Sequence, residues 1–207
     1  MKNHKIIYTI IFIGIVVIIG IIVLGGNKNK KIQIQTTTAL GLAGMQVGTA
    51  PWIAETDNLK ERLDYIKLPA LSAEGTALHI HQHLDVYIDG KSVPVPAGIG
   101  VNPMAGFISP IHTHDGSGVI HIESPKVQDF TLGQFFDIWG LKFSKEAIGG
   151  YTNDQANTLK VFVNGKEFTG DPRTIVLASH QEIVVTYGTT KELPNPMPSS
   201  YAFTEGL

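Results

Sequence analysis

From Leu78 to Ile88 the chain alternates strictly enough to dictate its own backbone. Leu78, Ile80, Leu84, Val86 and Ile88 fall in one phase, and His79, His81, His83, Asp85 and Tyr87 fall in the other. A helix would scatter these two sets around its circumference, whereas a strand sorts them onto opposite faces. The segment is therefore a half-buried strand with an apolar face and a histidine face. Asp89 and Gly90 supply a tight turn into Ser92–Pro96.

The same signals recur downstream. Ile108–His114 and Val119–Glu123 flank the loop Asp115–Gly118, which predicts a second hairpin. Leu159–Val163 and Lys166–Phe168 flank Asn164–Gly165, which predicts a third. Ile175–Leu177 and Glu182–Tyr187 read as further strands. Thr131 and Gln134 have the spacing of a capping box, opening a short aromatic helix through Phe135, Phe136 and Trp139. Thr56–Lys67 reads as another helix, with Thr56 as N-cap and Pro69 just beyond its end. The expected fold class is mainly β, a β-rich α+β domain that is β-sandwich- or barrel-like or β-grasp-like. The 22 Gly and 11 Pro in 207 residues suit such a turn-rich fold.

Ahead of this body lies a different kind of segment. Ile6–Leu24 is 19 consecutive uncharged, almost wholly apolar residues, long enough to span a bilayer as a helix. It exceeds the apolar core of a typical cleavable signal and no Ala-x-Ala site follows it, so residues 1–26 read as an uncleaved signal anchor, with a cleaved signal peptide as the alternative. Residues 27–51 read as a tether, and residues 52–207 as a histidine-rich domain outside the cytoplasm. The expected location is thus the cell membrane, single-pass, or secreted if the signal is cleaved. The first 31 residues hold five Lys and no acid, leaving 11 basic against 18 acidic groups in the remainder. A net-acidic body with no basic stripe argues against nucleic acid as a partner.

The absence of Cys removes disulfides, thiolate metal sites, iron–sulfur clusters and cysteine nucleophiles together. What remains is imidazole, carboxylate and hydroxyl chemistry. Six of the eight histidines lie between His79 and His121. Successive positions on one strand face are about 6.6 Å apart, so two neighbouring imidazoles of the row His79, His81 and His83 can converge on one ion. In the second hairpin a four-residue loop sets His112 opposite His121 and His114 opposite Val119, with Glu123 on the same face. Three imidazoles with an open position suit zinc and several copper and iron sites. Glu123, Asp115 or Asp85 can serve as a fourth ligand or orient an imidazole, and Glu123 is the candidate general base.

Three readings follow. The first is a metal-handling or metal-sensing protein with His112, His114 and His121 as ligands, while His79, His81 and His83 complete that site or form a second. The metal would be Cu or Zn, with Fe as a further option. The second is a metal-dependent enzyme, either a hydrolase or lyase using metal-bound hydroxide or a copper or iron oxidoreductase. The third is an interaction domain whose histidines are structural or pH-responsive. No nucleophile elbow, phosphate-cradling loop or dinucleotide fingerprint is present.

Several stretches carry a likeness: Glu74–Asp85 with its HxHxH row, Ile108–Asp115 with HTHD, Ile120–Pro125 with IHIESP, and Phe130–Gly140. Val161–Lys166, His180–Val184 and Pro198–Tyr201 extend it. In these the chain resembles a family of bacterial and archaeal proteins that are mostly secreted or membrane-anchored. The resemblance implies one integrated domain over roughly residues 51–207 and an outward-facing location. It implies no particular reaction.

Overall fold

The structure, a computed structural model, describes residues 41–206. The expected anchor, and the tether up to residue 40, lie outside the described residues. Among the described residues, no helix is long and apolar enough to cross a membrane.

The body is mainly β, with two short α-helices among the described residues. Helix α1 is Leu59–Tyr65 and is followed by strands β1 (Leu78–Ile88) and β2 (Lys91–Val93). Next come β3 (Val101–Asn102), β4 (Phe107–Ile108), β5 (Ile111–His112) and β6 (Val119–Ser124). After α2 (Leu132–Trp139) the chain forms β7 (Phe143–Ser144), β8 (Ala147–Ile148) and β9 (Tyr151–Thr152). Strands β10 (Thr158–Val163), β11 (Lys166–Phe168) and β12 (Glu182–Gly188) complete it.

Seven strands make one mixed sheet, six of them in the order β11-β10-β12-β1-β6-β5 and the seventh, β2, paired to β1. Strand β1 is long enough to pair with β6 over its first half and with β2 over its last residues, while β12 runs parallel along its other edge. Every residue of β12 is buried, as expected for an interior strand covered on both faces. The apolar phase of β1 (Leu84, Val86, Ile88) joins Ile120, Ile122, Ile183 and Val185 in the core. The aromatic face of α2 packs there too, with Phe135, Phe136 and Trp139 fully buried. The capping box on α2 forms as expected: the Gln134 amide N–H donates to Thr131 Oγ1 at 3.3 Å, and the Thr131 N–H donates to Gln134 Oε1 at 2.9 Å.

Four local expectations need correction. Helix α1 begins at Leu59, with Asn58 rather than Thr56 at its N-cap. Glu55 is the cause, because its carboxylate accepts from the Asn58 N–H and side-chain amide at 3.1 and 2.8 Å and so draws the entering chain away from Thr56. The helix ends before Pro69, where Lys67 turns left-handed at φ 59° and the Leu68 N–H closes on the Leu63 carbonyl. The strand expected over Ile108–His114 breaks at Ser109–Pro110: Phe107–Ile108 pairs with Val101–Asn102, and Ile111–His112 pairs with β6. Ile175–Leu177 makes a single bridge, Val176 to Thr131, rather than a strand.

Residues 43–50, at the end of the expected tether, are laid against the body. The Gln46 N–H donates to the Gly140 carbonyl at 2.7 Å, and the Gln46 carbonyl accepts from Lys142 at 3.1 Å. Arg62, wholly buried, ties the same region together: it donates to the carbonyls of Ala43, Glu55 and Ile138 and to the Glu55 carboxylate.

Candidate metal centre

The polar phase of β1 faces away from the aromatic core, and the antiparallel ladder with β6 sets its register. His81 lies opposite His121, and His79 lies opposite Glu123. One strand further out, His112 lies opposite His121. Alternation then puts His79, His81, His121, Glu123 and His112 on one face. His114 follows past the end of β5, where the Thr113 N–H has left the sheet for the Ile99 carbonyl. The two histidine groups of the sequence thus meet in one cluster, except for His83.

The distances are those of a ligand cage. The Nε2 atoms of His112 and His114 are 3.1 Å apart, as are those of His79 and His81. Two nitrogens bound to one ion at about 2.0–2.1 Å are separated by about 2.9 Å at a right angle and about 3.4 Å at the tetrahedral angle. The observed spacing lies between these limits. Glu123 Oε1 is 3.1 Å from His79 Nε2 and 3.5 Å from His121 Nδ1, while Oε2 is 3.8 Å from His112 Nε2. One ligand atom each from His112, His114, His121 and Glu123 fall within 4.8 Å of one another, and the same holds for His79, His81 and Glu123.

An N–H···N hydrogen bond would account for one imidazole pair at 3.1 Å. It leaves two atoms of the floor unexplained, because His121 Nδ1 and Glu123 Oε2 are buried without a hydrogen-bond partner. Polar atoms in that condition are uncommon, and these two line a group of side chains that could hold a metal ion. The tautomer of His112 is set from behind: its Nδ1–H donates to the Ser109 carbonyl at 3.0 Å, leaving Nε2 as a lone pair aimed into the cluster.

Electrostatics keep the buried imidazoles neutral. Burial, reinforced by neighbouring imidazoles, lowers His121 to about 3. Burial likewise lowers His112 to about 4 against the opposing pull of its Ser109 bond. His81 is lowered by burial and by His79. Neutral imidazole is the ligating form. Burial also raises the Glu123 carboxyl, as does the neighbouring charge of Glu74. Glu74 lies at the rim, 3.5 Å from His114 Nε2. The rim is open: the side chains of His79, His114 and Glu74 are about half exposed, whereas His112 is fully buried.

No protein-family model, curated protein or solved structure matches the chain. What the site can do must therefore be read from its own geometry.

His83 belongs elsewhere. Its Nε2–H donates to the Ser117 carbonyl at 2.9 Å, and its Nδ1 meets Glu182 Oε2 at 2.9 Å across the parallel β1–β12 pair. Burial opposes charge on this ring, but the Glu182 carboxylate prevails and holds its pKa above the ordinary value. Tyr201 stacks flat on it with centroids 3.8 Å apart. With Asp85 and Glu182 it forms a third group within ligand distance, although both its ring nitrogens already have protein partners. Gly118 lets the hairpin end close on this strand: at φ 88°, a Cβ there would sit 2.6 Å from the Leu84 carbonyl oxygen. Asp115, weighed as a ligand, is exposed and accepts from the Ser117 N–H instead.

Sequence reasoning missed Glu74, Ser109 and Glu182. Glu74 precedes the strand with no periodic cue. Ser109 acts through its backbone carbonyl, which no side-chain pattern reveals. Glu182 stood in an expected strand, but its neighbour in the sheet was not legible.

Proposed function

We propose that the chain is a membrane-anchored, extracytoplasmic protein that binds a transition-metal ion through His112, His114, His121 and Glu123. The observation that carries this reading is the pair of buried, unpartnered atoms, His121 Nδ1 and Glu123 Oε2, in a cage of imidazole nitrogens. Nitrogen and oxygen donors with no thiolate select Cu(II) or Zn(II) first and Fe second. The outward location rests on the apolar stretch Ile6–Leu24 and on the family resemblance. A β-grasp-like reading of the sheet is supported by the β1–β2 hairpin, the helix α2, the β10–β11 hairpin, and the last strand β12 set between β10 and β1 and parallel to β1, with the β5–β6 hairpin added at the other edge.

Metal handling or sensing is the role we infer. The open rim favours a second reading, a metal-dependent enzyme, since half-exposed His79, His114 and Glu74 leave a path for an exchangeable ligand. In that case Glu123 is a ligand and Glu74 takes over as the candidate base.

The test is elemental mass spectrometry on the untagged full chain, exported to its natural side of the membrane and dialysed against a mild competitor. At least one retained copper, zinc or iron per chain supports the reading. An empty protein that also refuses added Zn2+ and Cu2+ overturns it.

A further inference from the structure

Glu123 is shared between two ligand groups. Its Oε1 lies 3.1 Å from His79 Nε2, and its Oε2 faces His112 Nε2 at 3.8 Å. Behind each of these imidazoles stands a second one, His81 and His114 respectively, with the Nε2 atoms of each pair 3.1 Å apart. The Glu123 residue is 6% exposed and lies opposite His79 on the β1–β6 ladder, with Oε1 also 3.5 Å from His121 Nδ1 and Oε2 facing His112. His121 stands between the pairs, 4.6 Å from the His81 ring and 4.4 Å from that of His114 by centroid.

We propose that the cluster is a dinuclear centre, in which the Glu123 carboxylate bridges one ion held by His112, His114 and His121 and a second held by His79 and His81. A carboxylate that offers one oxygen to each of two ions suits a separation of about 3.5–4 Å, the spacing of two-metal sites. The inference rests on the metal-binding reading above, and it accounts for what that reading leaves idle: two further imidazoles, one of them buried, set around the same carboxylate.

The experiment strips the full chain with a chelator in detergent, reloads it with Zn2+ or Cu2+, and removes loosely held ion by gel filtration. Two Zn2+ per chain in the parent protein, falling to one in His79→Ala, is the expected result. His79 is half exposed, so this substitution spares the core. With Cu2+, electron paramagnetic resonance should show a coupled pair with a half-field transition, which His79→Ala converts to an isolated Cu(II) signal. A single equivalent that His79→Ala leaves untouched overturns the second position. Two equivalents retained in that variant, or two magnetically isolated copper signals in the parent, overturn the bridge. Failure to bind either metal overturns the reading under Proposed function, and this inference with it.

Discussion

His81 and His121 face each other across the β1–β6 pair, their rings meeting edge to face with centroids 4.6 Å apart. This contact joins a histidine row on one strand to a histidine hairpin lying some 30 residues further along the chain. It also separates His81 from His83, its neighbour on the same face, which is bonded to Glu182. The two histidines therefore answer differently to substitution.

Replacing His112 and His114 together by Ala should remove the first ion. Loss of an outer hydrogen bond alone typically costs about 10–100-fold in metal affinity, so loss of two ligands should exceed about 100-fold. His83→Asn should leave the stoichiometry unchanged. Calorimetric titration with Zn2+ checks both, and unchanged binding in the double variant would sink the ligand assignment.

Arg62 is the buried tie between the entering chain and the C-terminal end of α2. Removing one partner of a buried ion pair costs about 3–5 kcal/mol. Arg62→Ala should therefore lower stability by about that amount in denaturant melts, and a loss below about 1 kcal/mol would show the network to be dispensable.

Glu55 makes the same contact pH-dependent. Burial alone would raise its carboxyl, but hydrogen bonds from Arg62 and Asn58 outweigh it and hold the pKa below the ordinary 4.5. The unfolded chain then binds the proton first, so this stabilisation is present above pH 4.5 and is lost as pH falls through the lower folded value. Glu55→Gln should lower the melting temperature at neutral pH and above, and should flatten the acid limb, because the variant already lacks what the parent loses on acidification.

Tyr201 closes the tail over the sheet by stacking on His83, while Phe203 stacks on His180 at 4.8 Å. An aromatic stack contributes about 0.5–1.5 kcal/mol beyond the area it buries. Tyr201→Ala should destabilise the domain by about 1–2 kcal/mol and leave metal content unchanged. A loss of metal would mean that the tail shapes the cluster as well.

What was legible in the sequence was local. The phase of β1 showed which histidines share a face, and the four-residue loop placed His112 opposite His121, as observed. The Thr131–Gln134 spacing placed the start of α2 for the same reason: cap and turn chemistry is written within a few residues. Pairing between distant strands is not. Nothing in Glu182–Tyr187 says that it lies parallel to β1, so the bond that takes His83 out of the cluster stayed hidden. The break at Ser109–Pro110 does have a local signal, since Ile108 and Ile111 are three residues apart and so out of phase, with Pro110 between them. The resemblance to secreted and anchored proteins concerns location, and Ile6–Leu24 lies outside the described residues.

Strand β1 carries the histidine row on one face and the core row, Leu84, Val86 and Ile88, on the other. A shift of one residue in its pairing would exchange the two faces, driving imidazoles into the aromatic core and leaving leucine and valine around the carboxylate. Ligand placement and core assembly are therefore one event. If the cluster holds metal as proposed, a misaligned chain is not a weaker binder but no binder at all, and metal uptake would report directly on whether the sheet has zipped correctly.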